Sequence, residues 1–157
     1  MKNKHLNIYN NLIRLTRNKN IYVNLKNDDT FSDRLSILLF HLGFFLKFYK
    51  SEISKNEAQD LFDFIIRQIE LSIREIGYGD VSVNKKMKDY VNLFYLILSK
   101  IENWEISDVK RNNELIAEFI NISPNNVFFV DYFNKYRKFL SENSLKNFTK
   151  DILELKF

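Results

Sequence analysis

Cysteine is absent from this chain of 157 residues, and proline, glycine and histidine are scarce, with one, three and two residues. Without cysteine the chain has no disulfide scaffold, no thiolate metal site and no cysteine nucleophile. So few turn residues exclude an all-β sandwich, which needs many short strands joined by turns. The histidines, His5 and His41, lie in no spacing that places metal ligands on one helix face. No phosphate-binding glycine loop or nucleophile elbow is present, so we expect no enzyme activity and no cofactor.

A long hydrophobic run is also missing. The most apolar stretch, residues 35–46, is interrupted by Ser36, His41 and Gly43. As a helix it would span about 18 Å, against roughly 30 Å of bilayer hydrocarbon. The N-terminus lacks the apolar block of a secretory signal, and codons rich in A and T encode the dominant Asn, Lys, Ile and Phe. We therefore expect an unprocessed bacterial protein of the cytoplasm, in peripheral contact with the inner membrane at most.

Acidic residues are absent from residues 1–27, which carry a charge of +6, whereas the remaining 130 residues carry −2. The net charge of +4 therefore comes from one basic N-terminal segment. Its cations alternate with Tyr9 and Tyr22, a pattern that fits RNA phosphate or an anionic membrane. Codon drift towards lysine explains it equally well, and nothing in the segment indicates base-specific reading of nucleic acid.

Helical periodicity dominates the rest of the chain, of which 45% is hydrophobic. The pattern predicts a helix over residues 5–17, extended chain over 21–25 and a loop at 27–29. Thr30 is placed to cap a helix that ends near Tyr49. Ser54 and Glu57 form a capping box for a helix over 55–76, and Gly77 suits the left-handed position after it. The apolar face of that helix is predicted to comprise Ala58, Leu61, Phe62, Ile65, Ile69, Ile73 and Ile76.

The second half repeats the pattern. A fourth long helix is predicted to run from a cap at Asp80 or Ser82 to about residue 104. Ser107 is expected to cap a helix to about 121, Ser123 with Pro124 to begin another, and Ser144 to cap a last helix to 155. No linker, repeat or low-complexity segment interrupts the chain. We therefore predict one all-α domain over residues 1–157, a bundle of six to seven helices.

Two polar residues, Arg34 and His41, share a stripe on the otherwise apolar second helix because they are seven residues apart. They either contact a partner or are buried and hydrogen-bonded to other helices, and the cost of an unpaired buried charge favours the second alternative. Gly43, two residues further on, is expected to permit close helix packing.

Three lysines, Lys85, Lys86 and Lys88, stand in the first turns of the fourth helix, where the helix dipole disfavours cations. Either Asp80 or Glu75 pairs with them locally and water solvates them, which we favour, or they meet a phosphate, a nucleic acid or an acidic partner.

An aromatic stripe near the C-terminus is expected to pack mainly in the core. Its six large rings exceed what one helix face usually buries, so part of it is expected to line an exposed groove for an apolar partner segment. The stripe comprises Phe128, Phe129, Tyr132, Phe133, Tyr136 and Phe139.

A longer motif occupies the middle of the chain. Residues 72–83 read SIREIGYGDVSV, followed by KKMK at 85–88 and FY at 94–95. This resembles the pattern of the ubiquinol–cytochrome c chaperone family, roughly L-R-E-M-G-V-G-D-x-x-V-x-K-K-x-K and then F-Y-G-R. Upstream, DDT at 28–30, DRL at 33–35 and LFHL at 39–42 resemble its V-x-D-T-x-x-G-R-F and L-H segments. The resemblance covers about residues 8–145. Asp33 replaces a usual glycine, and Leu96-Ile97 replace the glycine and arginine of the last element.

The resemblance implies a non-enzymatic assembly factor for respiratory complex III. Mitochondrial relatives bind newly made cytochrome b together with a second small assembly protein near the ribosomal exit, and bacterial relatives are taken to act similarly at the inner membrane. Among the two basic regions, it favours the lysines inside the motif as the contact. The alternatives are a haem-handling protein or small enzyme that uses Arg34 and His41, or a basic RNA-binding module. Candidate partner contacts are Arg34, His41, Arg74, Glu75, Lys85, Lys86, Lys88, Phe129, Tyr132 and Tyr136.

Overall fold

The fold is helical throughout the part of the chain that the computed structural model describes, namely residues 2–26, 30–150, 155 and 157, with side chains from residue 4 onward. Within these residues there are eight helices and no strand, which confirms the all-α fold class. Six of the eight are longer than one turn, in agreement with the six to seven predicted. The helices are α1 (Lys2–Thr16), α2 (Lys19–Tyr22), α3 (Phe31–Tyr49), α4 (Lys55–Ile76), α5 (Asp80–Ile101), α6 (Val109–Ala117), α7 (Phe128–Glu142) and α8 (Leu145–Phe148).

Helix α3 lies at the centre and packs against α1, α5 and α7. Every residue from Leu35 to Phe45 is buried, as an apolar run on all sides of a helix requires. The predicted cap is confirmed: Thr30 Oγ1 accepts a hydrogen bond from the Asp33 amide at 3.1 Å. The expected role of Gly43 is confirmed too, because a Cβ there would lie 2.8 Å from Ile101 Cδ1 on α5.

Helices α4 and α5 form a hairpin beside α3. Ser54 Oγ caps α4 by accepting from the Glu57 amide at 3.1 Å, and Gly77 ends it with a φ of 108°, both as predicted. The buried residues of α4 are five of the seven predicted: Leu61, Phe62, Ile65, Ile69 and Ile73. Ala58 is half-buried, and Ile76 is exposed because it lies in the last turn, beyond the reach of the core.

The predicted extended segment at 21–25 is wrong. Alternation would place positions 21, 23 and 25 on one face, yet Ile21 and Leu25 are buried while Val23 is 79% exposed. Residues four apart share a helical face, and this stretch is in fact the short helix α2 followed by turns. The loop predicted at 27–29 lies outside the described residues.

Three predicted helix starts also need correction, and a fourth is right in position. Gly79, rather than Asp80 or Ser82, stands at the N-cap of α5. Asp108, rather than Ser107, caps α6, which ends at Ala117. Ser123 and Pro124 form a turn, and α7 begins only at Phe128. Ser144 stands at the N-cap of α8, as predicted, although its side chain makes no cap bond. Helix α8 ends at Phe148, earlier than predicted, and residues 151–154 are outside the described part.

The connection between α6 and α7 is tied to the chain before α3. The Asn121 amide donates to Asp33 Oδ1 at 3.2 Å, and its carbonyl accepts from the Lys26 amide at 3.0 Å. Asn126 adds a bond from Nδ2 to the Asn24 carbonyl at 3.1 Å. Asp33, which stands where the family pattern has glycine, therefore fastens two segments that are far apart in sequence.

Candidate functional site

His41 lies at the centre of a buried polar network. Its Nδ1 is 2.8 Å from the Ile37 carbonyl, and its Nε2 is 2.6 Å from the Tyr132 hydroxyl. Because a carbonyl can only accept, the neutral ring carries its proton on Nδ1, and Nε2 accepts from Tyr132. Tyr136 in turn donates to the His41 carbonyl at 2.9 Å. The interpretation of His41 as a satisfied core residue is thus confirmed.

Burial keeps this network neutral. Desolvation lowers the pKa of His41 to about 4, although its bond to the Ile37 carbonyl opposes the shift. Burial also raises the pKa values of Tyr132 and Tyr136 well above their usual range. With both ring nitrogens engaged inside the core, His41 holds α3 to α7.

Arg34 lies elsewhere than predicted. Although it shares a stripe with His41 in sequence, its side chain is exposed near the start of α3, where the core thins out. It lines a cavity together with Arg17 and Tyr9 of the basic N-terminal segment. The structure therefore separates the two polar residues of α3 into a core group and a surface group.

The aromatic stripe of α7 is covered. Phe129, Tyr132 and Tyr136 are 0%, 6% and 0% exposed, and only Phe128 of the six is half-buried. Phe133 lies 5.4 Å from both Phe40 and Phe44 of α3, ring centre to ring centre. Phe157 covers the outer side, 5.4 Å from Tyr132. Core packing is confirmed, and the expected exposed groove is wrong because α3 and Phe157 fill it.

The motif between α4 and α5 forms an exposed corner. Arg74 pairs with Asp80 across Gly77 and, at 3.2 Å, with Glu70. Its bonds to Asp80 and Glu70 raise the pKa of Arg74, and those from Arg67 and Arg74 lower the pKa of Glu70. Glu75 points to solvent. The predicted pairing of Asp80 with the lysines is therefore wrong, because Arg74 occupies that carboxylate.

The three lysines at the start of α5 have other surroundings. Lys86 lies over the Tyr78 ring, with Nζ 4.6 Å from its centre. Lys85 and Lys88 point to solvent on one face of α5, in line with Val81, which is 86% exposed. That face continues through Asn92 to Tyr95 and Leu96, which are 53% and 49% exposed. We call Val81, Lys85, Lys88, Asn92, Tyr95 and Leu96 the α5 stripe.

Sequence reasoning missed the apolar part of the α5 stripe. Helical spacing shows that positions 81, 85, 88, 92 and 95 share a face. The same spacing predicts an inward face of α5, and all of its members are buried or half-buried: Met87, Tyr90, Val91, Phe94, Ile97, Leu98 and Ile101. Part of the signal was available, since Val81, Tyr95 and Leu96 are large apolar residues outside this inward face. Val83 and Leu93 are outside it too, yet they are buried and half-buried, so the sequence did not separate the exposed residues from these two.

Two other kinds of site are not found in the described residues. They contain no cluster of three or more histidine, aspartate or glutamate side chains placed to hold a metal ion. None of the described helices is both long enough and apolar enough to span a membrane.

The comparisons with known proteins bear on the same region. A family model described as ubiquinol-cytochrome C chaperone matches residues 23–109, a range narrower than the 8–145 that the resemblance suggests. It contains α3, α4 and α5, with the corner and the α5 stripe. No curated protein and no solved structure matches the chain. Because the matched range is more than half of the 157 residues, the chain belongs to the ubiquinol–cytochrome c chaperone family.

Proposed function

We propose that this protein is a non-enzymatic assembly factor for respiratory complex III that binds newly made cytochrome b. The family match over residues 23–109 carries the proposal, since it supports a chaperone role in complex III assembly. Cytochrome b is the client that the family resemblance implies.

The α5 stripe is the proposed client contact. Val81 at one end and Tyr95 and Leu96 at the other are apolar and exposed, with Lys85 and Lys88 between them. Exposed apolar groups next to cations suit a partner that is itself apolar and borders anionic groups, as a membrane-protein segment at a lipid surface does. Arg74 and Glu75 lie at the corner beside it and complete the proposed contact. The buried candidates Phe129, Tyr132, Tyr136 and His41 support it only by holding the fold.

The proposed setting is the ribosome or the inner-membrane surface, with a second small assembly factor as a further partner. The basic N-terminal segment would add attraction to rRNA phosphate or to anionic lipid, without sequence-specific recognition. Of its five described arginine and lysine side chains, those at 14, 17, 19 and 26 are exposed and Lys4 is half-buried, and residues 1–27 contain no acidic residue.

Deletion of the gene tests the proposal. We expect less assembled complex III with an unchanged level of cytochrome b transcript, and restoration by the intact gene. The double variant Lys85→Glu with Lys88→Glu should fail to restore assembly and should no longer co-purify with cytochrome b. The matched control is Lys110→Glu with Arg111→Glu on α6, two exposed cations outside the stripe. Normal complex III in the deletion strain would refute the proposal.

The haem-handling alternative finds no favourable geometry, because both nitrogens of His41 are engaged inside the core. In a titration with haem we therefore expect no shift of the Soret band that depends on His41, so the wild type and His41→Ala should give the same spectra. The RNA-binding alternative predicts an affinity that falls steeply with salt. An RNA affinity that falls with salt in this way, together with a normal level of complex III in the deletion strain, would favour the RNA-binding alternative instead.

A further inference from the structure

A cavity of about 350 Å³ lies between α1, α2, α3 and α4, within the usual range for small-ligand sites. Its apolar lining comes from three helices: Ile13 of α1, Leu35 and Leu38 of α3, and Ile69 of α4. Leu35, Leu38 and Ile69 are among the buried core residues. The inner part of the cavity is thus formed by well-packed residues and is suited to an apolar group.

The rim of the cavity is cationic. Arg17 and Arg34 both line it and both are exposed, and none of the described residues that line it is acidic. Arginine guanidinium groups bind carboxylate and phosphate groups through paired N–H donors, so this rim offers positive charge to an anionic head group. Among the described residues Arg17 forms no ion pair, so its planar donor group is available to a ligand.

Tyr9 lies beside this rim and is half-buried, with its ring 6.4 Å from that of Phe64. Within the described part of the chain its hydroxyl makes no hydrogen bond, unlike that of Tyr22, which donates to the Thr16 carbonyl at 2.8 Å. Burial raises the pKa of Tyr9 and nearby Arg17 opposes the shift, so the hydroxyl stays protonated and can donate.

We propose that this cavity binds an amphipathic anion, with a carboxylate or phosphate head held by Arg17, Arg34 and Tyr9 and an alkyl tail against Ile13, Leu38 and Ile69. Guanidinium groups hold such heads through paired N–H donors. The limited volume favours one short chain over a two-chain lipid. This site is separate from the α5 stripe, and the inference does not depend on the proposed function.

Calorimetric titration of the full chain tests the inference, with decanoate and decyl phosphate below their micelle concentrations as probes. We expect one molecule bound per chain, at least tenfold more tightly than decanol or inorganic phosphate, because each of these lacks the head or the tail. Octanoate should bind more weakly than decanoate by about fourfold per methylene lost. The tighter of the two decyl probes identifies the preferred head.

Variants locate the site. Arg17→Gln should weaken binding of the preferred probe about tenfold or more, the effect of losing one charge-assisted contact. Arg111→Gln removes an equally exposed arginine on α6 and should change affinity less than twofold. Ser72 lines the cavity, so the larger side chain of Ser72→Leu should occupy the space that the alkyl tail needs. This variant should abolish binding of the tail, while the melting temperature of the protein stays unchanged.

Three results would overturn the inference. Binding of decanol as tight as that of decanoate would show a mere apolar void. Equal losses in Arg17→Gln and Arg111→Gln would show general attraction to a basic protein, and no saturable binding of either decyl probe would remove the site altogether.

Discussion

At the scale of single residues, His41 shows what the sequence could and could not reveal. A lone histidine in an apolar helix was correctly interpreted as a buried, hydrogen-bonded group. Its partners could not be predicted, because Tyr132 is 91 residues away and comes close only when α7 packs on α3. Arg34 shows the reverse, since helical spacing placed it on the face of His41 but could not show where the core ends.

His41 should make stability depend on pH. Its pKa falls from an ordinary 6.5 to about 4 on folding, so the unfolded chain binds a proton first as the pH falls. The free energy of unfolding should therefore decrease between pH 6.5 and pH 4, by on the order of 3 kcal/mol from this group. Urea unfolding at pH 7 and pH 4.5 measures it. His41→Gln should lose this part of the decrease, and an unchanged pH slope in the variant would contradict the assignment.

The two glycines of the corner should respond differently to alanine. Gly77 has a φ of 108°, so Gly77→Ala should cost about 1–2 kcal/mol of unfolding free energy although no atom lies within 4 Å of the new Cβ. Gly79 has a φ of −74° and equally open space, so Gly79→Ala should cost less than Gly77→Ala, because only the preference of the N-cap for glycine over alanine opposes it. Denaturant unfolding compares them. Equal losses at both positions would contradict a purely backbone origin.

At the scale of elements, the helix starts at Thr30 and Ser54 could be predicted because each is followed three residues later by an acidic residue, Asp33 or Glu57. Thr30 and Ser54 each bond the amide three residues on. Where several capping residues are adjacent, as Ser107 and Asp108 are, sequence does not rank them. The alternation at Ile21, Val23 and Leu25 led to the wrong prediction of extended chain for a related reason. A pattern of only five residues fits the periodicity of a strand and that of a single helical turn equally well.

The cap of α6 gives a direct test. Asp108 Oδ1 accepts from the Arg111 amide at 3.2 Å, so Asp108→Ala should cost about 1 kcal/mol of unfolding free energy. Ser107→Ala, one residue earlier and also exposed, should stay within about 0.5 kcal/mol of the wild type. Thermal and urea unfolding of both variants measure the difference. A larger loss of unfolding free energy in Ser107→Ala than in Asp108→Ala would show that Ser107 is the cap.

At the scale of the whole molecule, the fold class followed from composition and periodicity, whereas the exposed surface did not. Periodicity shows which residues of a helix share a face, but whether another element covers that face depends on tertiary packing. Phe129 and Tyr136 were candidate partner contacts on a stripe expected to pack mainly in the core, and both are buried. Val81 and Leu96 were not candidates, and both are exposed.

A single cooperative unit is expected for residues 1–157, since α3 contacts α1, α5 and α7 at once. Trp104 is the only tryptophan, and its Nε1 donates to Asn134 of α7 at 2.9 Å. Its fluorescence should therefore report the packing of α5 and α7, while circular dichroism reports all helices. We expect the two unfolding curves to coincide in urea. Separate midpoints would divide the chain into two domains.

The burial of α3 on every side limits how far the family region can act by itself. Residues 23–109 contain α3 but lack α1, which packs against it, and α7, which supplies ring partners of Phe40, His41 and Phe44. Excised as a fragment, that region would present these side chains to water and associate with itself. The region that the family model matches is therefore smaller than the set of helices that packs around α3.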